Sequence, residues 1–263
     1  MHADIWIMSP FNGTFWCVVL AFLALLVVAT VLLRKRSEET RRRVLIIASI
    51  VTMVGFFVYK GFLSVDKEFD RVAAEIGGFN WWGELPLQLC NINMILIPIA
   101  VHWNKRALMS FCFFVGVLGA AMAIAMPGLG FDGYSLLLPR MIGFYGTHFA
   151  IIVEGLALAT LGLYKPKFSD LPLSALALFV IALAACGISL LLRWTGLNAN
   201  ANYFFSVETE GNAILELFHK FLPAPFLYLI PCLLILAAYM LVVMLVITGV
   251  EKLKALVSGR KPA

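Results

Sequence analysis

Seven runs of the chain are apolar for about twenty residues each, and that feature restricts the fold more than any other. They cover residues 14–33, 44–64, 85–101, 107–126, 141–163, 171–192 and 226–250. At about 1.5 Å rise per residue, a helix of about twenty residues crosses a hydrocarbon core of about 30 Å. The runs are solidly apolar rather than alternating, which excludes a β-barrel. Little is left over for a soluble domain: 62% of the 263 residues are hydrophobic and 13% are charged, against about 45–50% and about 25% in soluble domains. The expected fold is an all-α integral membrane protein, a single polytopic domain over residues 1–263 built as a bundle of seven transmembrane helices.

The charges set the expected orientation. Fourteen of the 20 basic residues fall in the first connection (Arg34 to Arg43), the third (Lys105, Arg106), the fifth (Lys165, Lys167) and the tail (Lys252, Lys254, Arg260, Lys261). Short loops rich in Lys and Arg stay in the cytoplasm. The alternate connections carry Asp66, Glu68, Asp70 and Glu75, and then Glu208, Glu210 and Glu216. This places the N-terminus outside and the C-terminus in the cytoplasm, in the cell (inner or plasma) membrane. The start MHADIWIMSPFNG lacks the positive region of a signal peptide. A net charge of +5 is explained by topology, so no nucleic-acid partner is expected. Cys17, Cys90, Cys112, Cys186 and Cys232 all lie inside apolar runs, which implies no disulfide framework. With no P-loop, dinucleotide fingerprint or metal spacing, no cofactor and no metal are expected.

Two outer connections exceed what a turn needs. Residues 65–82 read as an amphipathic stretch ending in Trp81–Trp82, suited to the headgroup region. Within residues 193–225, Ile214, Leu215, Phe218 and Leu222 fall on one face of a short helix lying on the outer surface.

Polar side chains at membrane depth are costly, and so mark candidate sites. The third run opens ELPLQLCNIN and carries Glu84, Gln88, Cys90, Asn91 and Asn93; the fifth carries Tyr145, His148 and Glu154. Cys90 lies six residues beyond Glu84, roughly 9 Å inward, and His148 eight residues beyond Arg140, roughly 12 Å inward. The two runs point the same way, so a thiol and an imidazole sit at nearly matching depth. Facing each other, they would form a nucleophile and its base. The amides of Gln88, Asn91 and Asn93, or the Tyr145 hydroxyl, would then donate to the oxyanion. Glu154, about 9 Å deeper, is expected to be a buried structural acid rather than the carboxylate that orients His148. Lys60, Arg140 and Arg193 are expected to snorkel to outer phosphates. The plain alternative is that the cysteine packs and the amides and histidine bridge helices.

LPLQLCNINMILIPIA in the third run, FYGTHF in the fifth and NANYFF…LPAPFLYLIP before the seventh together resemble the YwaF-type integral membrane family, which includes eukaryotic transmembrane protein 164. The eukaryotic relative is similar to lipid acyltransferases acting on ether phospholipids through a cysteine in an LPL-x-x-C segment and a histidine two spans later. The resemblance implies Cys90 and His148 as the corresponding pair. Glu84, Gln88, Asn91, Asn93, Arg140, Tyr145, Asn202 and Tyr203 are the candidate substrate contacts. The ether-lipid preference is not carried over.

The expected function is a membrane-embedded lipid acyltransferase or transacylase, moving a fatty acyl group between phospholipids through an S-acyl cysteine. Its partners would be membrane phospholipids and a lysolipid or acyl-donor lipid. The alternatives are a small-solute transporter or receptor-like protein with a polar intramembrane site, and a structural subunit whose polar residues only pack.

Overall fold

The computed structural model describes residues 6–74, 78–128 and 130–257; Glu75, Arg260 and Lys261 lie outside them. Ten α-helices are present among the described residues: α1 (Gly13–Leu33), α2 (Glu38–Leu63), α3 (Lys67–Val72), α4 (Asn93–His102), α5 (Arg106–Phe111), α6 (Val117–Ala125), α7 (Pro139–Thr160), α8 (Asp170–Trp194), α9 (Ala213–Phe221) and α10 (Cys232–Val257). A π-helical turn, Cys112–Gly116, joins α5 to α6. Strands β1 (Ile7–Met8) and β2 (Tyr134–Ser135) pair antiparallel.

Six helices among the described residues are long and apolar enough to cross a membrane: Gly13–Leu33, Glu38–Leu63, Arg106–Ala125, Pro139–Thr160, Asp170–Trp194 and Leu227–Leu256. The expected seventh, over residues 85–101, is not a continuous helix. Residues 81–92 run through turns and bends, and α4 supplies only ten helical residues. Pro86 explains the break: it has no N–H to donate and disfavours helical geometry at Leu85. The segment still runs the length of α2. Glu84 at its start pairs with Lys60 in the last turn of α2, and the Val101 carbonyl near its end accepts from Arg42 in the first turns of α2.

Burial separates inner helices from outer ones. In the most apolar windows of Arg106–Ala125 and of α7, 61% of residues are buried, against none in α1 and 17% in Leu227–Leu256. The inner helices therefore build the core, while α1 and α10 turn leucine and valine outward, as a lipid-facing layer must. One cluster packs Phe111, Phe114, Leu158 and Met240; another packs Phe56, Tyr59, Met94, Ala120 and Ile151 around the segment that carries Cys90. The α2–α7 contact depends on Gly143, where any Cβ would overlap the Tyr59 ring.

The buried charges correct one expectation. Lys60, Arg140 and Arg193 do not reach outward to phosphates; each turns to protein acceptors. Lys60 pairs with Glu84. Arg140, 2% exposed, binds Asp66 at 2.6 Å, Glu68 at 2.8 Å and the Gly130 carbonyl at 3.2 Å. Arg193 binds the Ala201 carbonyl at 2.7 Å and Glu208 at 2.5 Å. A guanidinium with carboxylates already in place gains nothing by extending to a phosphate. At the opposite end, basic side chains tie helix ends to their neighbours. Arg41 donates to the carbonyl of Leu161, the C-cap of α7, and Arg106 grips buried Asp170 at 2.7 and 2.6 Å.

Candidate active site

Cys90 sits in the unwound stretch just before α4. Backbone at this depth needs internal partners for its polar groups, and the amides around the cysteine provide them. The Asn93 Nδ2 donates to the carbonyls of Leu89 and Cys90, both at 2.9 Å. The Gln88 Oε1 accepts from the Phe204 N–H at 3.0 Å. The polar cluster is thus a frame for irregular backbone. Gly116 makes room for it, since a Cβ there would overlap the Asn93 carboxamide.

The sulfur and the imidazole meet. Cys90 Sγ lies 3.3 Å from His148 Nε2, across 58 residues of sequence. The other ring nitrogen, Nδ1, lies 2.7 Å from the carbonyl of Phe144, one turn earlier in α7. A carbonyl only accepts, so Nδ1 carries the hydrogen and Nε2 presents its lone pair to the thiol. The Phe144 ring lies against the imidazole, with centroids 4.4 Å apart. His148 is buried and Cys90 partly exposed, so the base is shielded while the nucleophile keeps a free side.

The remaining candidates divide. Glu84 stands at the edge, holding Lys60, whose ammonium lies 4.7 Å from the Tyr59 ring centroid. Asn91 is buried beside the cysteine with no partner for Oδ1, and Asn93 Oδ1 is likewise unpartnered. Asn93 is not an oxyanion donor, because its N–H groups are held by the two carbonyls. Tyr145 donates to the Phe131 carbonyl at 3.1 Å and so turns away from the sulfur. Arg140 belongs to the ion cluster with Asp66 and Glu68. Asn202 organises its own loop, donating to the Glu208 carbonyl and Glu210 and accepting from Val207 and Glu208 N–H groups. The Tyr203 hydroxyl donates to the Trp82 carbonyl. Glu154 accepts from Ser49 at 2.9 Å and Thr52 at 2.6 Å, which makes it a bridge between α7 and α2.

Sequence reasoning named Lys60 but missed its pairing with Glu84. The signal was present: opposite charges, Lys60 and Glu84, at the same end of two neighbouring antiparallel segments.

Among the described residues, no group of three or more His, Cys, Asp or Glu side chains could hold a metal ion. The chain matches no curated protein and no solved structure. A family model described as the TMEM164 family matches residues 7–246. That stretch takes in β1, α1 to α9 and most of α10, with Cys90 and His148 inside it, and the chain therefore belongs to the TMEM164 family.

Proposed function

We propose that the protein is a lipid acyltransferase, a transacylase that moves a fatty acyl group between phospholipids through an S-acyl intermediate on Cys90. The observation that carries this reading is the 3.3 Å contact between Cys90 Sγ and a His148 Nε2 whose tautomer is fixed by the Phe144 carbonyl.

In the first half-reaction, His148 Nε2 takes the thiol proton and the thiolate attacks the ester carbonyl of a donor phospholipid. A C–S bond forms, and the carbonyl oxygen becomes an oxyanion. Collapse breaks the C–O bond. The departing lysolipid oxygen takes the proton back from the imidazolium, leaving a neutral His148 and a thioester on Cys90. In the second half-reaction an acceptor lysolipid hydroxyl gives its proton to Nε2 and attacks the thioester. The thiolate leaves and is reprotonated by the imidazolium.

In this reading the segment ending in α4 is the third of seven traverses of the cell membrane, with the N-terminus outside. Cys90 then sits in the outer half of the bilayer, where acyl-CoA and acyl carrier protein do not reach. The donor is a phospholipid already in the membrane. The test is to give the purified protein in liposomes either a radiolabelled diacylphospholipid or a radiolabelled acyl-CoA. Label from the phospholipid, absent in Cys90→Ala, is expected. Label from acyl-CoA alone overturns the donor assignment. Ligand-protected alkylation of Cys90 with no acyl adduct from either donor would favour a transporter.

A further inference from the structure

We propose that the apolar chamber roofed by α9 is the receptacle for the hydrocarbon chain of the acyl group that Cys90 receives; this rests on the transacylase reading and adds a binding site to it. The chamber has a volume of about 280 Å³ and lies between α6, α8 and α10. Leu118, Met122, Leu178, Ala182, Leu233 and Leu236 supply much of its wall.

Three observations join the chamber to the nucleophile and to the bilayer. First, Leu89 lines it and is bonded to Cys90, with the Leu89 carbonyl held in place by Asn93. A chain whose carboxyl carbon is attached to Cys90 Sγ starts one residue from this wall.

Second, the roof is fastened to the nucleophile's own segment. Phe204 lines the chamber, and its N–H donates to Gln88, two residues before Cys90. Phe204, Phe205 and Phe226, all lining residues, have φ of 60°, 53° and 67°. They are three of the six non-glycine residues with left-handed backbone among the described residues. Bulky side chains hold that conformation only where surrounding structure imposes it, and such positions gather at ligand clamps.

Third, the roof helix faces both ways. Ile214 and Leu215 of α9 line the chamber, while Leu217 and Phe221 are 51% and 77% exposed. An amphipathic helix with that exposed face lies in the headgroup boundary, which puts the chamber's roof against lipid. The chemistry of the wall selects the occupant. Of its lining side chains, Asn212 already accepts from the Ile214 and Leu215 N–H groups as the α9 N-cap, and Cys232 is a weakly polar thiol. The other lining side chains are apolar, which suits an unbranched hydrocarbon chain.

The test uses full-length protein in liposomes holding diacylphospholipids of defined chain length. Acylation of Cys90 is read by intact-protein mass spectrometry. Ala182→Phe and Leu233→Phe fill the chamber from two different helices, and Met122→Ala enlarges it. The filled variants are expected to lose about tenfold or more in the rate with long chains and to keep the rate with short ones. Met122→Ala is expected to extend the longest chain accepted. Alkylation of Cys90 by a small maleimide should be the same in all, which also reports that each variant is folded. An unchanged chain-length profile in both filled variants overturns the proposal. A diazirine-bearing phospholipid supplies an arm independent of the chemistry. In Cys90→Ala it is expected to crosslink within α8 or α10 at the chamber wall. Failure to acylate together with chamber crosslinking sinks the transacylase reading alone. Acylation with crosslinks only elsewhere sinks the chamber.

Discussion

Lys60 in the last turn of α2 and Glu84 at the head of the Cys90 segment form an ion pair with 8% and 24% of their side chains exposed. The pair pins the start of an unwound stretch to a regular helix. Removing one partner leaves the other charge poorly solvated. Lys60→Met is expected to lower the melting temperature in detergent and to cut Cys90 acylation. Lys60→Met combined with Glu84→Gln should recover much of the loss in stability, because the orphaned carboxylate is gone. A double-mutant cycle should give a coupling of about 1–3 kcal/mol. Additive losses would show that the two residues act separately.

Gly116 and Asn93 make a second constraint on the nucleophile. A methyl group at 116 has to displace the carboxamide that holds the Leu89 and Cys90 carbonyls. Gly116→Ala should destabilise by about 1–3 kcal/mol, and it should slow Cys90 alkylation and acylation together. Gly55→Ala, where a Cβ meets nothing within 4 Å, is the matched control and should leave both rates unchanged.

Asp66 offers a pH-dependent readout of the ion cluster it forms with Arg140. Burial opposes its ionisation, but the N–H of Phe69 and the Arg140 guanidinium outweigh that effect and hold the carboxyl below its usual range. A carboxyl lowered on folding stabilises fully above its unfolded value of about 3.9 and loses that contribution as pH falls through the folded value. Wild-type stability should therefore decline on acidification below about pH 4. Arg140→Gln should be less stable near neutral pH and show a shallower acid decline. Thermal unfolding followed by tryptophan fluorescence across that range distinguishes the two profiles.

Hydropathy located α1, the Arg106–Ala125 span, α7 and α8 to within three residues, and α2 and α10 to within six or seven, because each is a helix whose side chains face lipid or an apolar core. The same signal misled at residues 85–92. An apolar run looks alike whether its carbonyls are bonded within a helix or to an asparagine side chain, and nothing in residue types shows that Asn93 donates to backbone. The partners of Arg140, Asp66 and Glu68, are hidden for a related reason: they are more than seventy residues away, and only the fold brings α3 to the head of α7. The depth match of Cys90 and His148 was legible because residue counts measure depth along neighbouring segments. Their 3.3 Å approach was not, since rotation about the helix axis depends on packing such as Gly143 against Tyr59.

The central claim is that Cys90 becomes acylated and that His148 is its base. The most direct measurement is a time course of acyl transfer from a diacylphospholipid to the protein in liposomes, read as a hydroxylamine-labile mass increase localised to Cys90. Wild type should gain one acyl group at Cys90. Cys90→Ser should show no hydroxylamine-labile adduct. His148→Gln should form the same adduct about 10²–10⁴-fold more slowly. An adduct on another residue, or a His148→Gln rate equal to wild type, would contradict the account.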